Sequence, residues 1–279
     1  SLMNSELAST LRRVLVGLTL LAALVAAPLP DIAGAVTNTS YVTANLAGAN
    51  STYGPSEAVR ITNLVTVKNN VAFLAPHGVA AQELCLSDRG LWDSGNELIQ
   101  AWQTNGTYKA LVVTTGKTVS NLHCVQANGV FAHGINPTGH LYNLPYDNVE
   151  NRMLICLQTS GFVLTTTCST HLSKVSQAWT TTQSDYARQV FDFLSTVSSS
   201  YGSWLGGDFN STPFNAPLGF YQTPHSESDR FLSRATANAG KIDFGFGLLP
   251  LTISQSGAVL AGRGVTSDHH LLWAPFTWG

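Results

Sequence analysis

Asp208 and Asn210, in Gly207-Asp208-Phe209-Asn210, and the acid-histidine pair of Ser267-Asp268-His269 are the residues of this 279-residue chain best suited to chemistry. Both sets place ionisable or polar groups between apolar neighbours: Trp204-Leu205-Gly206 leads into the first, and Leu271-Leu272-Trp273 follows the second. Gly206 and Gly207 would let backbone approach a ligand closely just where a carboxylate and an amide project. A strand end of this kind delivers a metal and phosphate site. A hydrated loop fits such clustering poorly.

The elements that must carry these residues are mostly strands. Alternation marks Ser40 to Leu46, a short apolar strand runs from Val79 to Leu84 with Glu83 at its end, and Tyr108 to Thr114 and Val130 to Ala132 read as further strands. Arg152 to Leu157 and Phe162 to Thr167 follow, with a turn signal at Gln158-Thr159-Ser160-Gly161 between them and an exit at Thr170-His171-Leu172. Trp204 to Phe209, Lys241 to Phe246 and His269 to Trp273 close the set. Ser56 to Ala75, ending before Pro76, and Ser184 to Ser195 carry helical spacing. Many hairpin-like strands with few helices predict mixed sheets rather than one parallel doubly wound sheet.

Composition bounds the partners. Charged residues make up 11% of the chain, 14 basic against 16 acidic, so no strong field advertises nucleic acid or an anionic membrane. A neutral balance still permits catalysis on a nucleic acid if a few local cations neutralise the phosphate under attack. Arg12-Arg13, the apolar run Val14 to Ala27 and the small residues Ala33-Gly34-Ala35 read as a secretory signal over 1–35, cleaved near Ala35, with a membrane anchor as the weaker alternative. Ser1-Leu2 ahead of Met3 reads as an appended remnant. Residues 36–279 are then one exported domain, extracellular or periplasmic.

Cys85, Cys124, Cys156 and Cys168 are an even number with no CxxC spacing, which in an exported protein favours two disulfides over a zinc site. Antiparallel pairing of the segments holding Cys156 and Cys168 would join those two and leave Cys85 for Cys124; buried free thiols are the alternative. Asn-x-Ser/Thr sequons begin at Asn38, Asn50, Asn105 and Asn210. A glycan on Asn210 would block the expected site, pointing to a host that does not N-glycosylate, such as a bacterium.

In chain order, Val42-Thr43-Ala44-Asn45, Ala81-Gln82-Glu83-Leu84, Glu150-Asn151-Arg152, Thr170-His171-Leu172-Ser173, Gly206-Gly207-Asp208-Phe209-Asn210, Lys241-Ile242-Asp243-Phe244 and Ser267-Asp268-His269 together resemble the endonuclease/exonuclease/phosphatase superfamily, of the deoxyribonuclease I-like type. Any one stretch is weak, but the ordered set is specific. The resemblance implies an α/β protein, a four-layer sandwich of two packed mixed sheets flanked by helices. It also implies phosphate-ester cleavage with a divalent metal, Mg²⁺ or else Mn²⁺ or Ca²⁺. By position Asn45 and Glu83 match the metal-binding pair, with Asn45 also near substrate, and Asp268 a further metal-side carboxylate. Asp208 and Asn210 match the groups that position nucleophile and phosphate, Asp243 and His269 the acid-oriented histidine, and His171 a phosphate-binding histidine. Arg152 is assigned to substrate.

Such chemistry wants these residue types. A phosphodiester repels its nucleophile, so the site must supply positive charge while still activating water. Glu83, Asp268 and the Asn45 amide are hard oxygen donors of the kind Mg²⁺ takes, and a histidine held by a carboxylate has its tautomer fixed for accepting a proton. On this reading His269 deprotonates or orients water, Asp208 aligns it, and Asn210 and His171 hold non-bridging oxygens, with inversion at phosphorus.

Each group has a plainer reading: Glu83 a solvated carboxylate, Asn45 a turn former, His171 a core histidine, Arg152 the structural partner of Glu150. His270 should face away from His269 in an alternating strand. The expected function is a secreted endonuclease on DNA or RNA, monomeric and without an obligate protein partner. A sphingomyelinase-like or other phosphodiesterase or phosphatase on a lipid head group or small phosphoester is the alternative, and a catalytically silent binding or toxin subunit a third.

Overall fold

The computed structural model describes residues 38–46, 65–67, 69, 71, 73–87, 108–119, 123–144, 149–160, 165–173, 189–190, 192–194, 196, 202–210, 220–223, 243–248, 251–253, 258–259, 269 and 271–278. All of them belong to one compact unit, Asn38–Gly279. The expected signal over 1–35, the sequons at Asn50 and Asn105, His270 and Asp268 lie outside the described residues.

The strands are β1 (Asn38–Asn45), β2 (Gly78–Ser87), β3 (Tyr108–Val119), β4 (Cys124–His133), β5 (Ile135–Asn143), β6 (Met153–Ser160), β7 (Thr165–His171), β8 (Ser203–Asp208), β9 (Phe220–Thr223), β10 (Asp243–Leu248), β11 (Leu251–Ile253), β12 (Ala258–Val259) and β13 (Leu272–Trp278). They form two sheets, one ordered β11-β13-β1-β2-β4-β3 with β12 added on β13, the other β5-β6-β7-β8-β10-β9. Each sheet is antiparallel except for one central parallel pair, β1 with β2 and β7 with β8. The sheets are therefore mixed, as the strand pattern predicts.

Side-chain alternation sorts the core into layers. Val42, Ala44, Val79, Ala81, Leu84 and Phe131 face outward onto the helical residues Val67 and Val71, and Leu154, Cys156, Cys168, Leu205 and Phe246 face outward onto the helical residues Val190 and Leu194. Between the sheets Val130 and Ala132 of β4 meet Met153, Ile155 and Leu157 of β6. Tyr41 of β1 stacks on Trp204 of β8, ring centroids 4.8 Å apart. Helix, sheet, sheet and helix make the four layers. Polar side chains cross the same gap: Gln82 Nε2 donates to Ser169 Oγ at 3.0 Å, while Gln82 Oε1 accepts Thr43 Oγ1 of the neighbouring β1 at 3.3 Å.

Several boundaries differ from the sequence reading. Gln158 to Ser160 continue β6 instead of turning, because Gln158 and Thr159 pair with Thr166 and Thr165 of β7 and Ser160 pairs with Ile135 of β5. β5 was not expected: its INPTGHLYN sequence has a proline and no apolar alternation, since it is an edge strand exposed along most of its length. Both disulfides are present. Cys156 and Cys168 are direct cross-strand partners with Cα atoms 4.1 Å apart, and Cys85 joins Cys124 across β2 and β4 at 5.1 Å.

At the end of the sandwich where β1 begins, the His77 N–H donates to Ser40 O at 2.7 Å and the His77 imidazole bonds Thr165 Oγ1 at 3.0 Å. Burial, with a smaller contribution from the charge of His133, pushes the His77 imidazole down to about 4. An unfolded chain takes up this proton near its ordinary value of 6.5, whereas the folded protein refuses it until about pH 4. The contribution is thus whole above pH 6.5 and is lost as pH falls towards 4, on the order of 3 kcal/mol at most. His77→Gln, which can still bond Thr165, should flatten the decline in urea-unfolding stability between pH 7 and pH 4.5; curves for the two proteins that stay parallel would contradict this account.

Candidate active site

Strand topology brings the ionisable residues to one end of the sandwich. Asn45 is the last residue of β1, His171 of β7 and Asp208 of β8, while Asp243 is the first of β10. His171 is the register partner of Asp208, and Asp208 of Asp243, so three neighbouring strands of one sheet present them at the same level. His269 enters from the other sheet as a single bridging residue ahead of β13. All five side chains are buried.

Glu83 reaches the site by a different device. The β2–β4 register slips between Ala81 and Leu84, and Glu83 there has φ +53°, left-handed backbone that non-glycine residues avoid. The bulge lets Gln82 point between the sheets to Ser169 while Glu83 faces His171. Glu83 therefore sits within a strand that continues to Ser87, not at a strand end. The sequence carried a signal for this. Adjacent polar residues Gln82 and Glu83 inside an apolar run cannot both have buried partners in regular alternation.

The glycines ahead of Asp208 serve packing rather than ligand approach. A Cβ on Gly206 would fall 2.1 Å from the Trp204 ring, and one on Gly207 would fall 2.3 Å from the Thr170 carbonyl oxygen. They make room for the indole that stacks on Tyr41 and for close contact between β8 and β7.

Asp208 is the hub. Its Oδ1 accepts the backbone N–H of Asn210 at 2.8 Å, and its Oδ2 accepts Asn45 Nδ2 at 3.1 Å. The same Oδ2 lies 3.5 Å from His171 Nε2 and 3.6 Å from His269 Nε2. His171 Nε2 is also 4.0 Å from Glu83 Oε1. His269 Nδ1 pairs with Asp243 Oδ2 at 2.9 Å, leaving Nε2 directed at Asp208 and at Asn45 Nδ2, 3.5 Å away. Burial chiefly, and the Asp243 and Glu83 carboxylates in addition, push the Asp208 carboxyl up to about 7, against the opposing pull of His269 and the Asn210 N–H.

Asn210 adopts φ +49° and its Nδ2 donates to Leu172 O at 2.7 Å. A glycan on that nitrogen would leave it a single N–H. Arg152, expected at substrate, is 4% exposed and turned to Glu150, its Nη2 2.8 Å from Glu150 Oε1. Asn45, Glu83, His171, Asp208, Asn210, Asp243 and His269 converge; Arg152 lies behind them.

No protein-family model matches the sequence, and no curated protein matches it. Solved structures do match the fold. The endonuclease/exonuclease/phosphatase from Beutenbergia cavernae DSM 12333 aligns at TM-score 0.62 and 18% identity, over 88% of this chain and 72% of that one. The human Nocturnin catalytic domain, solved with a bound sulfate anion, aligns at 0.65 and 13% over 87% and 94%. The endonuclease/exonuclease/phosphatase from Bacteroides vulgatus aligns at 0.61 and 13% over 88% and 100%. The class defined here is a sandwich of two mixed sheets with buried carboxylates and histidines at one end. Its fold is that of the endonuclease/exonuclease/phosphatase superfamily.

The left-handed backbone at Glu83 gives two separable predictions. Glu83→Gly should raise unfolding stability by roughly 1 kcal/mol through relief of backbone strain and of carboxylate repulsion, while Glu83→Gln should keep the backbone strain. Equal stability of the two variants in urea would show that the backbone at this position is not strained.

Proposed function

We propose that this protein is a divalent-metal-dependent phosphoric ester hydrolase, an endonuclease cleaving phosphodiester bonds of DNA or RNA. The observation that carries the reading is the Asp243–His269 pair, whose Nε2 faces a second carboxylate and a carboxamide among buried side chains. Such a histidine is held in one tautomer and can accept a proton from water.

The residues present fit a dication. Asp208, Asp243 and His269 offer ligand atoms within 4.8 Å of one another, but His269 Nδ1 and Asp243 Oδ2 already satisfy each other. That trio is better suited to moving a proton. Glu83 and the Asn45 carboxamide, on the neighbouring strands β2 and β1, supply hard oxygen instead, as does Asp268 in the sequence. The elevated Asp208 carboxyl argues the same way, since crowded buried carboxylates gain from a positive ion nearby. Mg²⁺, or Mn²⁺ or Ca²⁺ in its place, would polarise a phosphoryl oxygen and stabilise the leaving group.

The chain's own residues do the rest. His269 takes the proton of the attacking water at Nε2, and Asp243 stabilises the resulting imidazolium. Asp208, fixed from three sides by Asn45, Asn210 and His171, orients that water. His171 Nε2 and the Asn210 amide donate to non-bridging oxygens whose charge grows in the transition state. Attack opposite the leaving oxygen inverts phosphorus. Two disulfides suit an oxidising compartment, which supports the exported location read from the sequence.

EDTA should abolish hydrolysis and excess Mg²⁺ restore it, in a screen of plasmid DNA, RNA, sphingomyelin and a generic phosphodiester. Absence of EDTA-sensitive hydrolysis on all four would remove the proposal, and preference for sphingomyelin would move it to the lipid alternative. His269→Ala and Asp243→Asn should each lower kcat by about 10²- to 10⁴-fold with the fold retained by circular dichroism. Activity close to that of the unsubstituted protein in either variant would withdraw the proton-transfer role.

A further inference from the structure

We infer that Arg152, with Glu150, is a positioning residue for His171 and makes no contact with substrate. The inference rests on the function proposed above for His171, but its structural content is independent. The Arg152 guanidinium spans two partners: Nη2 lies 2.8 Å from Glu150 Oε1, and Nη1 donates to the His171 carbonyl at 3.4 Å. Both acidic and basic side chains are buried, at 3% and 4% exposure. A planar fork holds a carboxylate and a carbonyl in fixed directions, whereas the rotatable donors of an ammonium do not set their relative placement.

The anchor is itself tied to the opposite sheet. Glu150 Oε2 accepts Gln126 Nε2 of β4, the Asn151 N–H donates to Thr115 O of β3, and Thr115 Oγ1 donates to Gln126 O at 3.2 Å. Gln126 stands opposite Cys85 in the β2–β4 register, two residues from Glu83. The network thus begins beside the strand that carries Glu83 and ends on the backbone of His171, the two side chains that approach within 4.0 Å.

The last register pair between β6 and β7 is Leu154 with Thr170. Beyond it, β7 runs one more residue to His171, and the Arg152 side chain continues the tie from the β6 side after the ladder has ended. On its other side His171 is held by β8, through its register partner Asp208 and the Leu172 N–H donating to Asp208 O at 2.9 Å, so Arg152 fixes the side of the strand end that β6 no longer reaches. The buried pair is costly to desolvate and adds little net stability, so precision of placement is the stronger reason for it.

Arg152→Lys tests this, because it keeps the charge beside Glu150 and gives up the second arm. Kinetics on the best substrate should show kcat lowered about tenfold to a hundredfold with KM little changed. The His171 ring signal in two-dimensional NMR, assigned by its loss in His171→Gln, should move while that of His77 stays in place. If the lysine variant does not fold, Glu150→Gln/Arg152→Met removes both charges together and is measured in the same way. A raised KM with unchanged kcat and an unmoved His171 signal would make Arg152 a substrate contact and overturn the inference. A lowered melting temperature with kcat and the His171 signal intact would make it merely structural, which overturns it as well. Should the protein cleave no phosphoester, the function fails, and the His171 signal alone decides the positioning role.

Discussion

Burial of carboxylates that repel one another is the constraint around which this structure is organised. Asp208 is held almost without solvent beside Asp243 and Glu83, and nothing about folding alone favours that arrangement. Every nearby group answers it with a hydrogen or a positive partner: Asn45 and the Asn210 N–H on Asp208, His269 on Asp243, His171 between Asp208 and Glu83. The fold provides the rigidity this requires. Parallel pairing of β7 with β8 sets His171 level with Asp208, and antiparallel pairing of β8 with β10 sets Asp243 on the other side.

The sheets resist the repulsion because two kinds of packing flank the site. Outward faces bury aliphatic and aromatic side chains against helical residues, the familiar source of cohesion. The inner faces are more polar, with Gln82, Ser169, Thr43 and Gln126 bonded across or along the gap near the reactive end. Hydrogen bonds in such a layer are directional, and directional contacts fix register in a way that apolar packing does not. Further from the site the gap becomes aliphatic, where Val130 and Ala132 meet Ile155 and Leu157.

Much of the site was legible because its residues fall at strand ends, where a polar group after an apolar run is conspicuous. Asp208 has that signature; Asp243 opens its strand, His171 closes a threonine-rich one and Asn210 lies just past β8, and these three were read from the family resemblance before the structure brought them together. Glu83 was legible as a residue, and the adjacent polar pair Gln82-Glu83 signals a break in alternation, but where the bulge falls depends on the partner strand, which local sequence does not describe. For Arg152 the sequence left two readings, substrate contact or partner of Glu150, for a related reason. Its partner Glu150 is close in sequence, but the carbonyl it grips belongs to a strand whose position only the folded sheet defines. The edge strand β5 escaped notice because exposure on both faces erases alternation, and Gly206 and Gly207 looked like ligand contacts until the Trp204 indole and the Thr170 backbone were placed beside them.

The irregularity in β2 sets stability and chemistry against each other. Losing one residue between Ala81 and Leu84 would restore an unbroken ladder with β4 and erase the left-handed turn of backbone, so the shortened protein would be the better β-sheet. It would also have room for only one of Gln82 and Glu83 on the inner face, leaving either the seam between the sheets or the acidic pocket incomplete. Length within this strand is therefore as much a determinant of the site as the identity of any side chain in it.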